Sequence, residues 1–88
     1  MSKNERYLTC FYLMRSIFNF EQDKQHALNC KNAGTVKDLT VQISQLQQRI
    51  NNEFSVEQSE IENKMFKDGF NINISGLNEM WLIENFGK

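Results

Sequence analysis

A run of basic residues is what this chain most plainly lacks. Ten Lys and Arg are scattered among eleven Asp and Glu, for a net charge of −1. A binder of duplex DNA or RNA normally carries a basic stripe, so duplex nucleic acid is excluded as a partner. An acidic mimic of DNA needs a far larger negative excess. The four glycines are isolated from one another, which leaves no phosphate-cradling loop. There is one histidine, His26, in a polar stretch, where it reads as a solvated side chain and not as a general base. Cys10 and Cys30 are the only cysteines, and neither a zinc site nor a disulfide is expected from them. Both read as small buried hydrophobes in a reducing cytosol. No apolar run approaches the ~20 residues of a membrane span, and the opening segment has no cleavage pattern. The expectation is a cytoplasmic protein that is not an enzyme, with no metal and no cofactor.

The 88 residues make one domain, residues 1–88. A chain of this length buries only roughly 60–65% of the surface its unfolded form exposes, so its own core is thin. Proline is absent and asparagine occurs eleven times. Such usage is a hint of an AT-rich genome, as many phages have.

The hydrophobic pattern is helical. Val36, Leu39, Ile43, Leu46 and Ile50 recur at intervals of 3, 4, 3 and 4, a heptad stripe. With Thr35 and Asp38 as a capping box after Gly34, the spacing predicts a helix from Val36 to about Asn52. A second capping box, Ser55 with Gln58, predicts a helix from Val56 to Asp68, with Ile61, Met65 and Phe66 on one face. Gly69 stands at its C′ position, and Phe70 is expected to touch Met65. Phe54–Ser55 is a turn or a kink. In the opening segment Leu8, Phe11, Arg15 and Phe18 are helically spaced. Asn19 can cap a second piece ending at Ala33–Gly34, which gives either two short helices or one long one. "NINIS" alternates like a strand, and Ser75 caps a short last helix that carries Leu77, Met80 and Trp81. The fold class is all-α: a small helical hairpin or bundle of three to five helices, oligomeric, packed about the heptad helix.

Half of the ten aromatic residues fall between Arg6 and Phe20. Phe11 and Phe18 read as core. Tyr7 and Tyr12 are balanced between core and ligand contact, because the helix is then apolar on more than one side. A tyrosine can stack on a nucleobase, and Arg6, Arg15, Lys24 and Lys31 can meet phosphate oxygens.

With its size, helical layout, N-terminal Tyr and the stretch "KDGFN" at Lys67–Asn71, the chain resembles the phage anti-CBASS nucleotide sponges. These are small helical proteins that sequester the cyclic oligonucleotide signals of bacterial immunity. The stretch matches the family's Gln-Gln-Gly-Phe-Met at Gly69 and Phe70. The resemblance implies a compact homo-hexamer that holds cyclic dinucleotides between protomers and cyclic trinucleotides elsewhere. It implies Tyr7 or Tyr12 as the stacking residue and Lys24 or Lys31 as the phosphate contact. The family's Arg before Gly-Phe is missing, and Asn63 and Lys64 stand in that neighbourhood. The expected ligand-binding set is therefore Tyr7, Tyr12, Arg15, Lys24, Lys31, Lys64, Gly69 and Phe70. The alternative is a small phage-type inhibitor or adaptor acting by protein–protein contact through the aromatic segment and the "NEMWLIENF" tail. A third is a coiled-coil subunit that only oligomerises.

Overall fold

The computed structural model describes residues 2–69 and 79–86. They form four helices: α1 Lys3–Asn29, α2 Ala33–Glu53, α3 Ser55–Lys67 and α4 Glu79–Phe86. No strand occurs among the described residues, and the fold is all-α. The "NINIS" stretch, Ser75, Leu77 and the Phe70–Met65 contact lie outside them.

α1 starts where Ser2 accepts a hydrogen bond from the Glu5 amide at 3.2 Å, satisfying one of the free first-turn donors. The helix then runs unbroken through Asn19, so one long helix replaces the alternative of two. With no Gly or Pro near Asn19, the backbone ladder continues and its side chain has no free first turn to cap.

The end of α1 is a Schellman stop. Asn32 N–H donates to Ala27 at 2.9 Å and Lys31 N–H donates to Leu28 at 3.1 Å. Lys31 takes the left-handed conformation, φ 58°, that this geometry requires and that usually goes to glycine. Asn32 then accepts from the Thr35 amide at 3.2 Å and so caps α2. This corrects the expected start of α2. Asn32, not Thr35, is the cap, and Gly34 lies within the first turn.

The short connection folds α2 back antiparallel along α1. Of the heptad stripe, Leu39 and Ile50 are buried, while Val36, Ile43 and Leu46 are half-buried. The off-stripe Val41 is exposed. On α1 the buried face is Tyr7, Cys10, Phe11, Leu13, Met14 and Ala27. Arg15 is exposed, and Leu8 and Phe18 are only half-buried. Cys10 is a small buried hydrophobe as expected, but Cys30, just past α1, is exposed.

The break between α2 and α3 is one residue wide. Phe54 leaves the helical region (φ −134°, ψ 24°), yet its N–H donates to Ile50 at 2.8 Å and its carbonyl accepts from Gln58 at 2.9 Å. Ser55 is the first residue of α3 and makes no side-chain cap. α3 turns away from α2 and packs mainly on the N-terminal half of α1. Its buried residues are Ile61 and Met65, one turn apart. Phe66, expected on that face, is 84% exposed. α3 ends with Gly69 at φ 82° and its N–H on the Phe66 carbonyl at 3.1 Å, the expected C′ glycine.

α4 closes this end. Trp81 and Leu82 are buried, and the Phe86 ring lies 4.6 Å from Tyr7 and 6.0 Å from Trp81. The core is therefore lopsided. Phe11, Ile50, Ile61 and Leu82 are fully buried where four helices meet, each contributing about 1.5–3 kcal/mol. Beyond it, among the described residues, the rest of the α1–α2 hairpin is two helices thick, with Ala27 and Leu39 as its buried pair.

Candidate binding surface

The expected ligand residues separate into three regions. At the four-helix end, Tyr7 is 5% exposed. One face of its ring meets Phe86, Lys3 Nζ is 6.0 Å from its centroid, and its hydroxyl donates to the Glu60 carboxylate. A base cannot stack there without displacing α4. Lys64 and Gly69 sit at the end of α3, where Lys64 pairs with Asp68 at 3.3 Å. Phe70 is outside the described residues.

On the outer face of α1, Tyr12 is 44% exposed, with its ring 6.2 Å from Phe11 in edge geometry. Arg15 is exposed three residues on, hence on the same face. Lys24 and Lys31 lie at the hairpin's far half. Twelve residues of helix separate Tyr12 from Lys24, a rise of about 18 Å. Lys31 occupies the left-handed turn position, so its backbone role is structural. The cavity that Lys24 lines holds none of the others.

What the fold does gather is a groove along the hairpin. One part, about 430 Å³, is lined by Met14, Ile17, Phe18, Glu21, Gln22, Gln25, Gln47, Gln58 and Glu62. A second part, about 550 Å³, shares Ile17, Glu21 and Gln47 and adds Lys24, Thr40, Ile43, Ser44, Gln48 and Asn51. α1 supplies the apolar floor because residues 14, 17 and 18 lie beside its α2-facing stripe. α2 supplies amides and hydroxyls because its stripe is narrow and everything flanking it is polar. The groove presents two carboxylates, Glu21 and Glu62, against one ammonium, Lys24. That balance disfavours a multiply charged phosphate ligand. It suits an amphipathic surface with its own hydrogen-bonding groups.

At the four-helix end Arg6 is held on three sides. Arg6 Nε donates to Glu57 at 2.5 Å, its Nη2 donates to the Glu53 carbonyl, and its guanidinium lies 4.9 Å from the Phe54 ring centroid. The Arg6 hydrogen bond holds the Glu57 carboxyl below its ordinary value. Burial pushes the Cys10 thiol up to about 12, so it stays protonated and inert.

A third cavity, also about 430 Å³, lies at the hairpin's tip between α1 and the start of α2. It is lined by Asp23, His26, Ala27, Cys30, Asn32, Thr35 and Leu39. Here Cys30 Sγ is 3.7 Å from His26 Nε2. This pair escapes a reading that looks for Cys–Cys or His–His spacings. Its signal is the four-residue interval in "HALNC", which a helix places on one face. Among the described residues no group of three or more His, Cys, Asp or Glu is arranged to hold a metal. No helix among them is long and apolar enough to cross a membrane.

No family model, curated protein or solved structure matches the chain.

Proposed function

We propose that the chain is a non-enzymatic interaction module whose α1–α2 groove takes an amphipathic helical segment of a protein partner. The observation that carries this reading is the groove's lining. Met14, Ile17, Phe18 and Ile43 form an apolar floor, while Gln22, Gln25, Gln47 and Gln58 flank it with amides that both donate and accept. Half-buried Phe18 and Ile17 are large enough to anchor such a contact. Among the described residues no third helix covers the two-helix part of the hairpin, and a docked helix supplies one.

Site-specific photocrosslinking tests it. A photoreactive side chain at Gln25 or Gln47 in the cell of origin should give one discrete protein adduct, and one at exposed Lys67 should not. Phe18→Asp should abolish the adduct while the helical circular dichroism is kept. Equal crosslinking at all three positions, or none at the groove, overturns the reading.

A second reading is sequestration of a cyclic di- or trinucleotide. One observation favours it: Tyr12 and Arg15 share an exposed face of α1, where a ring could stack on a base and a guanidinium could meet a phosphate. Binding of this kind needs a second copy to close over the ligand, as the hexamer of the resembled family does. A thermal-shift series with cyclic di- and trinucleotides decides it. A ligand at 100 times its dissociation constant adds about 2.7 kcal/mol of stability, and Tyr12→Ala should erase the shift. No shift removes this reading and leaves the groove reading standing.

A further inference from the structure

We infer that His26 and Cys30 form half of a zinc site, completed by the same two residues of a second copy. Cys30, the C-cap of α1, donates its N–H to the His26 carbonyl at 3.0 Å, so the closing turn of the helix joins the two residues. That turn puts their side chains on one face, with Sγ and Nε2 3.7 Å apart. A tetrahedral zinc with sulfur at ~2.3 Å and nitrogen at ~2.0–2.1 Å has a sulfur–nitrogen edge of about 3.5 Å. The pair is thus spaced for two corners of one tetrahedron, with a closure of only a few tenths of an ångström. A backbone already fixed in helical geometry removes most of the ordering cost of bringing two donors together.

Both side chains are exposed, so a metal and a second protein surface can reach them. Cys10 cannot substitute, being fully buried with its thiol held protonated. Asp23, one turn back, lines the same cavity and adds negative charge near the cation. Two donors are not enough for a closed structural site, and no third ligand joins them among the described residues. A second α1 laid antiparallel across this face, with the two-fold axis midway between His26 and Cys30, sets each His26 opposite the other copy's Cys30. The result is a two-sulfur, two-nitrogen tetrahedron, the donor set zinc prefers. Each Cys30 loses its thiol proton to solvent as the sulfur–metal bond forms, and nothing is oxidised.

Cobalt(II) titration of the full chain, kept reduced with a phosphine, is the test. The expected result is a tetrahedral cobalt spectrum with a thiolate-to-metal band. It should saturate at one metal per two chains, be displaced by zinc, and accompany a doubling of mass by light scattering. Cys30→Ser and His26→Gln should each weaken binding at least about ten-fold while circular dichroism stays unchanged, since both positions are exposed. A pale octahedral spectrum, saturation with an unchanged mass, or Cys30→Ser binding as tightly as the parent overturns the inference.

Discussion

The indole Nε1–H of Trp81 donates to Oδ2 of Asp68 at 2.8 Å, and this bond ties α4 to the end of α3. First that indole, then Lys64, holds the Asp68 carboxyl below its ordinary value. A depressed folded-state value means the bond's contribution is complete above the unfolded value of about 3.9 and is lost as pH falls through the folded one. Trp81 is the chain's only tryptophan. Its emission should therefore hold steady from neutral pH down to about 4 and shift to the red below that. Asp68→Asn, which keeps an acceptor without the charge, should flatten the early part of that change. Superposable fluorescence titrations of the two proteins would show that Asp68 has no part in it.

Tyr7 should behave as a structural residue. Tyr7→Phe removes only the bond to Glu60 and should cost about 0.5–1.5 kcal/mol in urea unfolding. Tyr7→Ala also empties the space against Phe86 and should cost about 3–5 kcal/mol. Equal, negligible losses would mean that this ring is not part of the core.

The two thiols should differ sharply. In the folded protein iodoacetamide should modify Cys30 quickly and leave Cys10 untouched, because Cys10 is 0% exposed and its thiol stays protonated. Both should react in denaturant. Two fast-reacting thiols under native conditions, counted by mass spectrometry, would contradict this placement of Cys10.

Lys31→Gly should stabilise the fold. A left-handed conformation costs a non-glycine residue roughly 1–2 kcal/mol, part of which the glycine gives back as unfolded-state entropy. The expected net gain is a few tenths to about 1 kcal/mol, read as a higher melting temperature. A loss would mean that the lysine side chain, and not its backbone, holds the turn.

Ile50→Ala should cost about 2–5 kcal/mol, and Val41→Ala less than about 0.5, although both remove methyl groups from the same helix. Ile50 is 0% exposed and Val41 50% exposed. Denaturation midpoints of the two variants measure the contrast.

The heptad stripe of α2 was legible because one helix period governs it: Leu39 and Ile50 are buried, and apart from Val41 the rest of the helix surface is mostly polar. The C′ glycine was legible for a similar reason. Gly69 follows the polar pair Lys67 and Asp68 and is free to take φ 82°. Local pattern failed where the backbone had two equivalent local choices. Asn19 and Thr35 both have the chemistry of a cap, yet Asn19 is spanned by the helix and Asn32 caps α2 in place of Thr35. The face of α1 was legible only in part. Cys10 and Phe11 are buried as their chemistry suggested, and Tyr7, balanced between core and ligand contact, falls inside. Phe18 is only half-buried and Arg15 exposed, because α2, α3 and α4 each claim part of the helix surface. Phe66 misleads in the same way, since the apolar residues α3 buries are Ile61 and Met65.

The candidate surfaces divide along the same line. The His26–Cys30 pair is local, one helical turn, and its spacing stood in the sequence. The groove is assembled from α1, α2 and α3, whose residues lie up to 48 positions apart (Met14 to Glu62). By itself the sequence determined that this chain would be helical, where its heptad seam runs and that it carries no basic stripe, because helix periodicity and charge are properties of neighbouring residues. Only the tertiary structure decided that Tyr7 is enclosed, that Tyr12 is left outside and that, among the described residues, the hairpin has an open flank. Those outcomes depend on where α3 and α4 land on α1, and a one-residue break at Phe54 sets that position for α3.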